Sequence, residues 1–354
     1  MEEVFETLSS IWDSNQLTNG GPLHQQLESE LCQILELSNL SLCNNGTLAL
    51  ILALQSQNIT GEVITTPYSF AATRNVLSYV GCSAKFVDVE PSSWNIDPNQ
   101  VDKAISKNTK AILGVHCYGN PCNDSALREI ANERNIPIIY DAAHAFGVRL
   151  RDKSVLSFGD ASSVSFHATK VFNTFEGGMV VVNSSHEKNL VDQLKNFGIS
   201  PDSTNINIAR GLNAKMSELN AAVGLCQLKY IKSVFQRRRE IDNYYREQLK
   251  DLEGISLYQY DPESDPNYSY FPILVTDQYP QDRDELCEKL KSKGVFARKY
   301  FYPLLHASER PGKEFLKRNF PVANRVANQV LCLPIFPDLT LQQVEYICDV
   351  ICHP

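Results

Sequence analysis

Ser165-Phe166-His167-Ala168-Thr169-Lys170 closes a short β-type run that begins at Ala161, and Phe175-Glu176-Gly177-Gly178 follows close behind. The lysine stands among small and apolar neighbours. A partly dry site makes a lysine amine shed its proton more easily, because desolvation disfavours the charged form. A neutral amine can attack a carbonyl and form a Schiff base. The plain alternative is a surface lysine that ends a strand, the usual place for lysine. The rest of the chain has to decide between them.

Upstream, strand and helix patterns alternate. Leu40 to Cys43 reads as a strand, and Leu48 to Leu54 as a buried helix. Glu62 to Thr66, Ala84 to Val89, Ala111 to His116 and Ile136 to Tyr140 read as strands. Helices are expected over Phe70 to Val80, Asp97 to Ser106 and Asn123 to Asn135. Strands over Val164 to Phe166 and Met179 to Val182 complete the series. This order predicts an α/β fold with a mostly parallel sheet and helices on both faces. Ligands of such sheets gather at the carboxyl ends of the strands. Those ends carry Asn45-Gly46-Thr47, Tyr68-Ser69-Phe70, His116, Asp141-Ala142-Ala143-His144 and Ser165 to Lys170.

Toward the N-terminus, residues 2–12 form a short amphipathic piece. Asn19-Gly20-Gly21-Pro22 breaks it from a helix over Leu23 to Leu37. Toward the C-terminus, Gly198 to Gly211 reads as a polar loop reaching over a neighbour or the site. Lys215 to Lys250 reads as one helix. From Leu257 a smaller α/β unit is expected, with a strand over Tyr268 to Val275 and helices over Gln281 to Lys293 and Leu341 to Ile351. Arg298-Lys299-Tyr300-Phe301-Tyr302-Pro303 lies where it could return basic and aromatic groups to the cleft. The division predicted is a large domain at 1–250 and a small domain at 251–354.

The chain has 354 residues, with 43% hydrophobic and 21% charged. That is ordinary for a soluble globular protein of more than one domain. A formal net charge of −8 argues against nucleic acid or an anionic membrane as the main partner. Ten cysteines are scattered, without a C-x-x-C pair, mostly in apolar runs. They read as small buried hydrophobes in a reducing compartment. Cys117, Cys122 and His116 lie close together, but structural zinc sites want four well-spaced ligands, so no metal is expected. No signal pattern and no apolar run of membrane-spanning length is visible, and the expected location is cytoplasmic.

The strand-end residues suggest one chemistry together. Asn45-Gly46-Thr47 makes a strand–turn–helix start whose free N–H groups favour an anion; an ordinary N-cap explains it equally well. Asp141 follows an apolar strand, and a buried carboxylate needs a partner. A protonated pyridine nitrogen would be one, and pairing keeps the ring able to accept electrons. Asp141 could instead simply close a strand. Phe70 could stack on a flat ring or be plain core. His144 could bond a ring oxygen or be a satisfied core histidine. Ser165 and Thr47 could donate to a phosphate. Lys170, Asp141, Phe70 and a phosphate turn are the parts needed to hold pyridoxal 5′-phosphate.

The chain resembles the DegT/DnrJ/EryC1/StrS family of sugar-nucleotide aminotransferases. Further stretches carry the resemblance: Thr66-Pro67-Tyr68-Ser69-Phe70, His116-Cys117-Tyr118-Gly119-Asn120-Pro121, Glu176-Gly177-Gly178 and Leu333-Pro334-Ile335-Phe336-Pro337. The resemblance implies the aspartate-aminotransferase-like fold type I, with a large, mostly parallel seven-stranded sheet domain and a smaller C-terminal α/β domain. It implies pyridoxal 5′-phosphate as cofactor. Lys170 would be the Schiff-base lysine and later the acid and base of the proton shift. Asp141 would pair with the pyridine nitrogen, His144 would lie near the ring hydroxyl, and Phe70 would stack on the ring. Gly46, Thr47 and Ser165 would bind the phosphate. Asn213 would reach the phosphate in the other subunit of a homodimer with shared active sites. Lys215 stands where relatives often have arginine, which puts nucleotide contacts from that loop in doubt.

Lys170 argues against the dehydratase branch of the family, which carries histidine there. The wording around Lys170 resembles enzymes that aminate C4 of dTDP-4-keto-6-deoxyglucose, with L-glutamate as amino donor. Alternatives are amination at C3, C4 amination with galacto configuration, and a pyridoxal-phosphate-bound regulator without catalysis. A nicotinamide-dependent dehydrogenase is disfavoured, since Asn44-Asn45-Gly46-Thr47 lacks the three-glycine fingerprint.

Overall fold

The computed structural model describes residues 2–200, 210–308 and 320–354. Most of the expected loop between Gly198 and Gly211 therefore lies outside the described residues. In chain order the strands are β1 (Leu40–Cys43), β2 (Glu62–Thr65), β3 (Ser83–Phe86), β4 (Thr109–Val115), β5 (Ile138–Asp141), β6 (Arg149–Leu150) and β7 (Lys153–Ser154). They continue as β8 (Ala161–Ser165), β9 (Gly178–Val182), β10 (Ile255–Leu257), β11 (Ser264–Asp265), β12 (Phe271–Val275) and β13 (Val330–Leu333). The helices begin with α1 (Glu2–Ser14), α2 (Pro22–Leu35), α3 (Gly46–Ser56), α4 (Ala71–Tyr79), α5 (Pro98–Ala104) and α6 (Asp124–Arg134). They end with α7 (Ser185–Leu194), α8 (Glu218–Leu228), α9 (Ile231–Leu249), α10 (Arg283–Ser292), α11 (Pro321–Gln329) and α12 (Leu341–Cys352).

Seven strands form the large sheet in the order β1-β9-β8-β5-β4-β2-β3. From β3 to β8 neighbours run parallel, while β9 runs antiparallel to both β8 and β1. The expected mostly parallel sheet is therefore the one observed. Both faces are covered, as parallel strands require. Val63, Leu113, Ile139 and Val180 pack with α3, α4 and α7 on one face. Ile112, Ile138 and Tyr140 meet α5 and α6 on the other, and Leu40, Leu42 and Val164 meet α2 and α8. The period-2 alternation of these strands sends successive residues to opposite cores.

The expected single helix from Lys215 to Lys250 is two. It breaks between Leu228 and Ile231, so α8 stays on the large sheet while α9 crosses to the second core. There Ile241, Tyr245 and Leu249 pack on the three-stranded sheet β10-β12-β13. Two contacts hold α2 in place. Glu218 at the start of α8 accepts the N–H groups of Leu23 and His24 at 2.8 and 2.9 Å, which satisfies the orphan donors of the first turn. Gly21 is needed beside it, since a Cβ there would lie 2.6 Å from the Glu218 carboxyl carbon.

Candidate active site

A cavity of about 880 Å³ opens at the carboxyl ends of the large sheet's strands. Gly46, Thr47, Phe70, Asp141, His144, Ser165 and Lys170 all line it. Of the residues expected at the site, Asn213 alone does not. It is exposed nearby and takes a 2.7 Å hydrogen bond from Lys215.

Asn45 caps α3, accepting the Leu48 N–H at 2.9 Å. That leaves the N–H groups of the first turn at the cavity edge, with the helix dipole favouring negative charge. The ends of β1 and β8 converge here. A Cβ on Gly46 would stand 2.6 Å from that of Ser165, so only glycine lets the two strand ends meet. Phe70 sits before the first residue of α4, lines the cavity and is 55% exposed as a residue, which rules out the plain-core reading.

Asp141 is the last residue of β5 and 8% exposed. Burial raises its carboxyl above the usual range, opposed by hydrogen bonds from Thr73 and the Ala143 N–H and by the nearby Lys170 charge. Thr73 donates to Asp141 Oδ2 at 2.7 Å, and so takes its own 2.6 Å hydrogen bond from Ser69. This relay was not read from the sequence. Ser69 and Thr73 are four apart, so a helix start places them on one face, but that spacing alone named no function.

His144 Nδ1 accepts the Tyr118 N–H at 3.2 Å, which places the ring proton on Nε2. Burial and the Lys170 charge hold the ring neutral, well below the ordinary histidine range. Lys170 has its amine lowered to about 8, by burial first and by the Arg298 charge, against the pull of Asp141. Its Nζ stands 5.9 Å from the centre of the Tyr270 ring. Tyr270, Arg298, Tyr300 and Phe301 close the cavity from the side of the small sheet. The 298–303 stretch thus returns basic and aromatic groups to the cleft as expected. Tyr270 had no sequence signal.

His116 is different. It is fully buried outside the cavity, stacked on Tyr140 at 4.3 Å, with Nδ1 accepting the Cys122 N–H at 3.0 Å. Burial pulls it down to about 3. Cys122 Sγ contacts the Val115 carbonyl. His167 and Glu176 do line the cavity, both exposed, 3.7 Å apart.

A buried carboxylate, a half-buried amine of lowered basicity and a helix N-terminus that suits an anion meet around one cavity. The chain belongs to the DegT/DnrJ/EryC1/StrS aminotransferase family, whose model matches residues 1–352. It is similar to the dTDP-4-amino-4,6-dideoxy-D-glucose transaminase of Shigella dysenteriae, with 49% identity over 99% of this chain and 95% of that one. The Escherichia coli enzyme of the same name is 44% identical, over 98% and 94%. Among solved structures, DesI in the presence of its TDP-sugar product has a TM-score of 0.93 at 35% identity, covering 99% of this chain and 89% of that one. NtdA from Bacillus subtilis with bound cofactor PMP has a TM-score of 0.92 at 27% identity, covering 99% and 81%.

The chain is therefore an aminotransferase, and aminotransferases of this family depend on pyridoxal phosphate. The residues present fit that group. The α3 cradle suits a phosphate, Asp141 suits a ring N–H, the uncovered Phe70 ring suits a flat face, and Lys170 suits an aldehyde. No helix among the described residues is long and apolar enough to cross a membrane.

Proposed function

We propose that the protein transfers the amino group of L-glutamate to C4 of dTDP-4-keto-6-deoxy-D-glucose, giving dTDP-4-amino-4,6-dideoxy-D-glucose for surface polysaccharide or glycan synthesis. The observation that carries this reading is Lys170 and Asp141 meeting in one cavity of a chain so similar, end to end, to two enzymes named for that product. When bound, pyridoxal phosphate supplies an electron sink that holds the amine between the two half-reactions.

The chain's own residues do the rest. Gly46, Thr47 and Ser165 would hold the phosphate, and Phe70 would cover the ring. Asp141 would keep a proton on the ring nitrogen. Its carboxylate is fixed by Thr73 and Ala143 and so cannot turn away. His144 would offer its Nε2 proton to the ring oxygen. Lys170, neutral for a useful fraction of the time near pH 8, would serve as the acid and base of the proton shift.

The assembly we infer is a homodimer with shared sites. Phe5, Trp12, Phe175, Phe197, Leu219 and Tyr230 are large apolar side chains left exposed, which a partner subunit could cover. Asn213 lies outside its own cavity, which agrees with the reading that it would serve a partner's phosphate. A division at residue 250 would fall at the end of α9, whose Ile241, Tyr245 and Leu249 already pack in the core of the small sheet. The free cysteines suit a cytoplasmic location.

The test offers the purified enzyme glutamate and dTDP-4-keto-6-deoxy-D-glucose, with the product identified by NMR. An equatorial C4 amine is expected. An axial C4 amine or a C3 amine from the 3-keto isomer would move the assignment to the galacto or C3-aminating readings. A cofactor-loaded protein that never takes an amine from glutamate would make it a regulator.

A further inference from the structure

Arg298 lines the cavity with a charge that no carboxylate among the described residues pairs. Asp141 has Thr73, Ala143 and the nearby Lys170, and Glu176 faces His167. Among the described residues no carboxylate lies within ion-pair distance of Arg298. Its guanidinium instead rests over the Tyr300 ring at 5.6 Å and donates to Tyr300 Oη at 3.1 Å.

The arginine is also held in place. Its N–H donates to the Cys332 carbonyl at 3.0 Å, and its carbonyl accepts the Cys332 N–H at 2.8 Å, which pins the segment to β13. Two residues on, the Tyr300 carbonyl meets the hydroxyls of Tyr68 and Tyr118 from the large sheet's side. A fixed cation loses little freedom on binding an anion. It stands near enough to Lys170 for the two charges to repel. An anion beside the reacting amine would relieve that repulsion.

We propose that Arg298 binds the carboxylate adjacent to the carbon from which the amino donor gives up its amine, through a forked guanidinium–carboxylate contact. This rests on the transaminase reading above. Two anions of the reaction could reach a cation here, the donor's carboxylate and the nucleotide's diphosphate. The first is favoured because the donor's carboxylate is one bond from the reacting carbon, whereas a diphosphate lies beyond the whole sugar ring. A second cavity of about 890 Å³ also reaches Arg298, and Lys170 and Tyr270 line both.

The test measures 2-oxoglutarate binding to the aldehyde-form holoenzyme by calorimetry, beside dTDP as the diphosphate probe. Arg298→Gln should weaken 2-oxoglutarate about tenfold or more, as loss of a charge-assisted forked contact does. It should leave dTDP binding unchanged. Arg298→Lys should recover only part, since an ammonium keeps the charge without the fork. In steady state, kcat/KM should fall with glutamate more than with the ketosugar. Unchanged 2-oxoglutarate binding, or a parallel loss of dTDP, would overturn the assignment while leaving the transaminase reading intact. A wild-type enzyme that neither binds 2-oxoglutarate nor takes an amine from glutamate would overturn both.

Discussion

The two walls of the cavity carry their charges differently. On the large-sheet wall, Asp141 and His144 are buried and Lys170 is half-buried, and each is displaced from its ordinary titration range. On the facing wall Arg298 is exposed and rests on Tyr300. Desolvation changes how readily a group gives or takes a proton, so the first wall is suited to proton transfer. An exposed, pinned guanidinium keeps its charge and suits recognition. The difference follows from what each wall is made of. Strand ends of a parallel sheet are roofed by helices on both faces, whereas the 298–301 segment is held at its edges and open in front.

If this contrast is sound, Lys170→Ala gives the largest effect, since among the described residues no other lysine lines the cavity. Amine transfer should stop within detection, a loss beyond the ~10²–10⁴-fold typical of a removed acid–base group, because the covalent role goes too. Measurable turnover by that variant in the product assay would break the comparison at its centre.

The next effect is a shift in pH dependence. The Lys170 amine, lowered to about 8 from the ordinary 10.5, is mostly charged at pH 7 and mostly neutral at pH 9. In protein freed of cofactor, the rate of aldehyde capture at Lys170 should rise through pH 8 and level off. A rise centred near 10.5 would mean that the large-sheet wall is no drier than the other.

The smallest effect belongs to the relay. Thr73→Val removes one hydrogen bond from Asp141 and keeps the side chain's shape. Such a bond to a charged acceptor contributes about 1.5–3 kcal/mol. Weaker cofactor retention and a lower kcat are expected, with the fold intact by circular dichroism; a variant that retains cofactor and turns over like the parent would show that Asp141 needs no orientation from the helix.

Much of the site was legible because its parts sit beside strand ends, and strand ends can be read from a short apolar run and its stop. Gly46, Asp141, His144 and Lys170 are all of that kind. The α7 helix carries a readable capping box, Ser184 with Glu187, that went unused. The break between α8 and α9 has no glycine or proline to announce it. It exists because one half packs on the large sheet and the other on the small one.

The sequence by itself determined the alternation of strands and helices, hence a mostly parallel sheet, and the chemical types at its edge. Those are local properties, set by periodicity and by neighbours in the chain. The tertiary structure decided that Thr73 orients Asp141, that His116 is core while His144 faces the cavity, and that Tyr270 and Arg298 close it. Each of those depends on which distant segment arrives opposite. Burial is a property of the assembled surroundings, and burial is what lowers the Lys170 amine and raises the Asp141 carboxyl.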